Sequence, residues 1–451
     1  VPVSYYIHLD DFFVFSNSEG SLENLIANYQ NGFTMSSDPA FESCKLDLSD
    51  ESSLIIVGNS KRLKSIMASW FNSDLSNMSL GNYKLSAFQL IQDEGFAHFN
   101  GVVKKQKKRA VRNTIAELFN VELDADILMP PQFVTNHRSR QKDIVVQDIN
   151  NSLYLISNSG KILWKEKING PVLGKIEQID LYRNGRLQLA FATENRVYVI
   201  DRNGNNVSPF PIKFNDKITK PLSVFDYDNN KRYRLVVTQL NKILLYDSKA
   251  QFVRGFNYSN PNEIVTQPKH FRVGSKDYIV FGAGDKMQIL DRRGQLRINA
   301  RNPIEFSGQD IFYYNNAFTT TSTKGELVQV RLDGSSSKQS LGLGADHFID
   351  ATSKTLVTLF ENNLSIKKNT IDLDFGNYTS PKIFYINDKI YVSLTDLQTQ
   401  KILMFDSQSK PIPNFPVYGN STIDFVNMDA DSNLEFVTKG ESNSIIIYKK
   451  N

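Results

Sequence analysis

The run with the clearest chemical potential is Asp429-Ala430-Asp431-Ser432-Asn433. Oxygen donors at alternate positions suit a hard cation such as Ca²⁺, which gathers about six to eight oxygens. A helix-loop-helix calcium loop also needs Gly at its sixth place and Glu at its twelfth. Those places hold Leu434 and Gly440, so that template fails. The competing reading is an Asp/Asn-rich β-turn between two strands, and the sequence favours it. Asp226-Tyr227-Asp228-Asn229-Asn230 is a second turn of this kind. Beyond Ca²⁺ at Asp429, Asp431 and Asn433, no cofactor is expected.

One charge block stands out: Lys104, Lys105, Lys107, Lys108 and Arg109, with Arg112 close by. Such a block can face anionic lipid headgroups, at about 1 kcal/mol per charge near the surface, so peripheral membrane association is one expectation. The plainer reading is a solvated hairpin end and linker. No aromatics interleave with it, and the net charge is only +4 over 451 residues, so nucleic acid is not an expected partner. The five histidines, His8, His98, His137, His270 and His347, sit in no metal-binding or hydrolase motif. His270 reads as a strand residue with a satisfied ring. The single Cys44 excludes an intrachain disulfide and a cysteine metal cage. No catalytic residues are assigned, and no enzyme activity is expected.

The elements that hold these residues follow from a repeat. Short apolar runs start at Leu153, Val197, Ile243, Met287, Leu327, Leu364, Ile402 and Ile445, spaced 44, 46, 44, 40, 37, 38 and 43 residues apart. A period near 42 is that of a four-stranded propeller blade. Four places after the start, Asp stands in four copies (Asp201, Asp247, Asp291, Asp406). Seven places after, Gly stands in four (Gly160, Gly204, Gly294, Gly334). Asp accepts backbone N–H bonds inside a tight turn and Gly takes positive φ, so each copy reads strand, turn, strand. Two further strands precede each hairpin, for example Leu222–Phe225 and Arg234–Thr238. The expected fold is mainly β: an eight-bladed β-propeller of four-stranded antiparallel blades over residues 132–451, with seven blades as the alternative. The last copy stops at Lys450 without a fourth strand. An open edge invites aggregation, so the missing strand is sought before residue 132.

Residues 1–103 read as a small α+β domain. Strands are expected at Phe12–Ser16 and Ser53–Val57, and a hairpin at 83–104. Helices are expected from Ser21 to Tyr29 and over Lys61–Phe71. Residues 104–131 read as a basic linker with a short helix over Ala110–Phe119. Hydrophobic residues are 40% and charged residues 22%, enough to build a core. No window approaches the apolar length of a membrane span. The opening Val1-Pro2-Val3-Ser4 reads as that of a processed or truncated product.

Leu153-Tyr154-Leu155-Ile156-Ser157-Asn158-Ser159-Gly160-Lys161-Ile162-Leu163-Trp164-Lys165 resembles the repeat of the quinoprotein-type propellers. That superfamily includes pyrroloquinoline-quinone alcohol dehydrogenases and the non-catalytic outer-membrane assembly lipoprotein BamB. The resemblance covers residues 132–451. The family's Trp recurs from blade to blade and locks neighbours together. Here Trp164 alone stands in that place, and the next three copies have Ser208, Arg254 and Ile298. The segment Phe12-Phe13-Val14-Phe15-Ser16-Asn17-Ser18 resembles bacterial envelope proteins of unknown function. A quinone enzyme of this family would need a Ca²⁺ ion, a catalytic Asp, a stacking Trp and often a vicinal disulfide, a set absent from this chain. The resemblance therefore implies a non-catalytic scaffold of the bacterial cell envelope, periplasmic or outer-membrane associated. It would dock protein partners such as an outer-membrane β-barrel complex. The Asn-rich composition with this repeat fits a Bacteroidota-type bacterium by association. The alternative is a glycan- or ligand-binding propeller using Tyr313, Tyr314 and Tyr378.

Overall fold

The computed structural model describes residues 4–19, 44–59, 83–93, 96–105 and 115–450, with 22, 25, 26, 29, 35 and 41. The chain divides into two compact units, Val1–Arg112 with Asn387–Lys389, and the remainder from Asn113.

In the first unit β1 (Tyr5–Leu9) pairs with β2 (Phe12–Ser16), and β3 (Leu54–Asn59), β4 (Tyr83–Asp93) and β5 (Phe96–Lys105) form a second antiparallel sheet. One face of that sheet buries Leu85 and Ala87 against Cys44 and Leu48. Along the expected helix to Tyr29, Leu22, Leu25, Ile26 and Tyr29 are helical, and the rest lies outside the described residues. The expected helix at 61–71 also lies outside them, and no complete helix is among them. Of the basic block, Lys104 pairs with Asp47. Lys107, Lys108, Arg109 and Arg112 lie outside the described residues.

In the second unit eight antiparallel sheets follow one another, seven of four strands and one of three among the described residues. This is consistent with a β-propeller of seven to eight blades. The weak copies at Leu327 and Leu364 fall in the third strands Glu326–Arg331 and Asn363–Ile366 of the fifth and sixth sheets. In the first two sheets the second and third strands are buried on both faces, as in Lys142–Asp148 and Ser152–Ile156. The outer strand Ile162–Lys167 of the first sheet is largely exposed and carries Lys165, Glu166 and Lys167, charges that discourage edge pairing. Apolar cores lie between consecutive sheets; one joins Ile144, Val146 and Tyr154 of the first sheet to Val437, Ile445 and Ile447 of the eighth.

The third-to-fourth strand turns work as the residue types require. Asp201, Asp247, Asp291 and Asp406 each accept two backbone N–H bonds through Oδ1, from residues two and four places on. Ser157 does the same through Oγ. Three places on from these residues stand Gly160, Gly204, Ala250, Gly294 and Ser409, all at positive φ. Trp164 crosses to the second sheet, where Nε1 donates to Arg202 O at 2.8 Å. A Cβ on Gly204 would lie 3.2 Å from the indole.

Residues 115–122 overturn one expectation. They are a strand, Ile115–Glu122, not part of a helix. It pairs antiparallel with Ser444–Lys450 and supplies the fourth strand of the eighth sheet. The reason is tertiary. The unpaired edge of Ser444–Lys450 offers a ladder of hydrogen bonds, and Phe119 and Val121, two apart, face the core beside it. Phe119 packs over Gly160 of the first sheet as Trp164 packs over Gly204; a Cβ on Gly160 would sit 2.9 Å from its ring. The first sheet also begins earlier than expected, with Ile127–Thr135. Lys142 N donates to Met428 O at 2.9 Å, joining the last sheet to the first.

Candidate functional site

The Asp429–Asn433 segment is the turn between the first two strands of the eighth sheet, Asp424–Val426 and Leu434–Lys439. Its side chains satisfy its own backbone. Asn427 Oδ1 accepts from Ala430 N (2.7 Å), Asp429 Oδ1 from Asp431 N (3.2 Å) and Asp431 Oδ1 from Asn433 N (2.6 Å). Asp429 and Asp431 do converge, and they are joined by Glu435, which sequence reasoning missed. Asn433 does not complete the set: its amide turns back to Asp431 Oδ2 at 3.1 Å. At the centre stands a second residue the sequence did not single out, Lys449. Its Nζ lies 2.5 Å from Asp431 Oδ2, 3.1 Å from Asp429 Oδ2 and 3.4 Å from Glu435 Oε1. A lysine ammonium thus stands where a bound cation would.

The electrostatics follow from that contact. The hydrogen bond to Asp431 holds the Lys449 amine well above its ordinary range, and the same bond holds the Asp431 carboxyl low. Burial pushes the Glu435 carboxyl up. Glu435 is fully buried; Oε2 accepts from Met428 N at 2.8 Å, while Oε1 has no hydrogen bond. Other turns on this side use side-chain cations in the same way. Lys231 Nζ reaches Asp180 at 2.6 Å, Arg202 reaches Asp143 at 2.8 Å, and Arg292 bridges Asp228 and Asp277 at 2.6 and 2.7 Å.

Among the histidines, His270 Nε2 lies 2.8 Å from Asp277 Oδ1, and His347 lies 2.7 Å from both Gly344 O and Thr321 Oγ1. His137 Nδ1 accepts from Leu187 N at 3.2 Å. Burial and then the charge of Arg202 lower its pKa. His137, Asp143 and Arg202 line a cavity of about 20 Å³ between the first two sheets, room for a water. Tyr378 is buried with its hydroxyl donating to Asp374 O at 2.6 Å, and the Tyr313 ring packs 5.4 Å from Phe318. These two aromatics are packing residues.

A second constellation lies on the first strands of the sheets. Register makes Gln132, Glu177, Ser223, Lys269, Phe312, Asp350 and Asp424 equivalent: each pairs through the second strand with the residue two places after a repeat start. Lys382 opens the first strand of the seventh sheet as Lys269 and Asp424 open theirs. At this level side chains clip one sheet to the next. Gln132 exchanges hydrogen bonds with the Ile176 backbone (2.6 and 3.1 Å), and Ser223 Oγ donates to Pro268 O (2.6 Å). Asp350 Oδ2 accepts from Ile383 N (2.7 Å) and Asp424 Oδ2 from Phe133 N (2.8 Å). Lys269 Nζ meets Asp310 at 2.8 Å. These contacts clip five of the eight neighbouring pairs of sheets together at the level of the first strands, the inner ring.

No family model and no curated relative matches the sequence. Several solved structures share the fold. The dihydro-heme d1 dehydrogenase NirN in complex with DHE is 12% identical, with a TM-score of 0.50 over 71% of this chain and 73% of that one. BamB from Moraxella catarrhalis is 10% identical, with a TM-score of 0.49 over 74% and 97%. BBS1N in complex with ARL6DN, soaked with mercury, is 14% identical, with a TM-score of 0.44 over 76% and 98%. At such identities the likeness is one of fold: a β-propeller.

Proposed function

We propose that this protein is a non-catalytic β-propeller scaffold of a bacterial cell envelope, with eight blades. It docks protein partners as an accessory to an outer-membrane assembly or secretion machine. Phe375 carries the docking part. Its side chain is 90% exposed, yet its loop is pinned. Tyr378 Oη donates to Asp374 O (2.6 Å), Asn377 N to Asp396 Oδ1 (3.1 Å) and Leu397 N to Asn377 O (2.8 Å). Gly376 has no room for a side chain, since a Cβ there would lie 2.7 Å from Asp396 Oδ1. An aromatic ring held out on a fixed loop offers apolar area at little ordering cost, as an interface anchor should. Exposed Leu240 and Ile149 lie on turns between second and third strands. Antiparallel connectivity puts those turns on the same side of the ring as the Phe375 loop. The envelope setting and the absence of catalysis are supported by the repeat resemblance at residues 153–165.

The test is affinity purification of the full chain from its native membranes, wild type beside Phe375→Ser. Stoichiometric recovery with an outer-membrane β-barrel, lost in the variant, is the expected result. Recovery of the wild type as a lone monomer would overturn the reading and turn attention to glycan and small-molecule screens.

A further inference from the structure

Three neighbouring turns carry a row of exposed arginines. They join the first and second strands of the first three sheets, over residues 136–141, 180–187 and 226–233. Each turn contains one Asn-x-Arg unit in which the Asn side chain accepts from the arginine's own backbone N–H. Asn136 Oδ1 accepts from Arg138 N (3.0 Å), Asn184 Oδ1 from Arg186 N (3.0 Å) and Asn230 Oδ1 from Arg232 N (3.1 Å). The turns also touch one another. His137 Nδ1 accepts from Leu187 N at 3.2 Å, Tyr233 Oη accepts from Asp180 N at 3.2 Å, and Arg183 Nε donates to Lys231 O at 3.4 Å. Arg138, Arg186 and Arg232 are thus chain neighbours of residues in direct contact. The carboxylates around them are engaged inside the fold. Asp180 accepts from Asn184 N and Gly185 N and pairs with Lys231, and Asp226 accepts from Asn230 N and Lys231 N. Asp143 pairs with Arg202 and Asp228 with Arg292. Arg138, Arg140, Arg183, Arg186 and Arg232 have no ion pair within 4.0 Å among the described residues. Arg140 and Arg183 sit at φ +64° and +55°, where the backbone itself favours Gly or Asn over a long side chain.

We propose that this arginine sector docks an acidic segment of a partner protein, whose Asp and Glu side chains pair with Arg138, Arg186 and Arg232. A guanidinium binds a carboxylate through two parallel N–H bonds. Tyr182, 60% exposed on the middle turn, adds apolar area inside the patch. Charge complementarity selects the partner, and the narrowness of the sector selects its shape. The corresponding turn of the eighth sheet, joined to the first sheet through Lys142 N and Met428 O, carries Asp429 and Asp431. A flat anionic membrane would press on those carboxylates together with the arginines; a short acidic segment need not. A nucleic-acid strand stacks successive bases on exposed aromatics, and of the tyrosines on these turns Tyr182 alone is exposed, Tyr227 and Tyr233 being half-buried. Turns between first and second strands lie on the opposite side of the sheets from the Phe375 loop, so this surface stands independently of docking there.

The experiment is fluorescence anisotropy of a labelled decaglutamate peptide titrated with the full chain at low ionic strength. Wild type is compared with Arg138→Gln/Arg186→Gln and with a control, Lys217→Gln/Lys324→Gln, which removes the same charge at two exposed lysines outside the three turns. All four changes are at exposed side chains, and circular dichroism checks that each variant stays folded. The arginine pair should weaken binding about fivefold or more, which is about 1 kcal/mol for two lost charge pairs. The control should change it less than about twofold, because charges beyond a Debye length are screened. No binding by the wild type, binding that survives loss of the two arginines, or equal weakening by both pairs would overturn the proposal. Phosphatidylglycerol vesicles or a thymidine oligonucleotide bound more tightly than the peptide, and released by the arginine changes, would overturn the assignment to an acidic protein segment.

Discussion

Replacing Lys449 by Met tests the account of the carboxylate cluster. The Lys449 side chain is 16% exposed and faces Glu435, whose side chain is fully buried. Asp429 and Asp431 are open enough to water, at 29 and 42%, to keep their charges at small cost without it. Glu435 cannot. Removing one partner of a buried pair costs about 3–5 kcal/mol if the other stays ionised. A carboxyl has a cheaper escape, which is to take up a proton. From an unfolded pKa of about 4.3, protonation at pH 7 costs about 3.7 kcal/mol, and at pH 5 about 1 kcal/mol. The expected loss is therefore about 2–4 kcal/mol at pH 7, shrinking to about 1 kcal/mol or less at pH 5. The sign follows from linkage. A carboxyl whose folded pKa is raised binds its proton more tightly in the folded state, so its stabilising share falls as pH rises through that pKa. The assay is urea unfolding of wild type and Lys449→Met at both pH values, followed by near-ultraviolet circular dichroism. Adding Glu435→Gln to the variant should recover most of the loss at pH 7. A loss below about 0.5 kcal/mol at pH 7, typical of exposed pairs, or one that does not change with pH, would refute the reasoning.

Other outcomes follow from the same geometry. Because Lys449 Nζ occupies the centre of the acidic cluster, millimolar Ca²⁺ should leave the wild-type melting temperature unchanged in calorimetry. Phe119→Ala should cost about 2 kcal/mol or more by loss of buried aromatic surface, seen as a lower urea midpoint. Gly160→Ala should cost about 1–3 kcal/mol in the same assay, since φ is +81° and the new Cβ would meet Phe119 at 2.9 Å. Phe375→Ser should leave the melting temperature within about a degree, because an exposed side chain away from such features changes stability little.

The blades are legible because buried apolar residues recur in their third strands together with a turn whose Asp and Gly have physical jobs. Even the weak copies at Leu327 and Leu364 kept the alternation that buries them. The unpaired last strand calls for a partner from before residue 132, but the local sequence of that partner has helical spacing. Leu118 and Phe119 are adjacent apolar residues, and only the vacant edge of Ser444–Lys450 decides which of them faces inward. The inner ring was not legible. From Gln132 to the next repeat start is 21 residues, but from Asp350 to Leu364 it is 14, because the turn between the first two strands varies in length. Its members also differ in type, from Glu177 to Phe312, so no single letter marks the position. Glu435 was hidden as a strand residue two places beyond the turn. Lys449 reaches the cluster from the third strand, a proximity visible only once Leu434 and Lys450 pair.

The pairing of Ile115–Glu122 with Ser444–Lys450 bears on how the ring would yield to mechanical load. Ile115 stands opposite Lys450, so the two ends of the clasp leave from the same side of one antiparallel pair. Tension applied between those two residues would open the ladder bond by bond, like a zipper, instead of shearing all its hydrogen bonds together. The ring would then part first at its eighth sheet, at low force, while the sheets built from consecutive strands stayed closed.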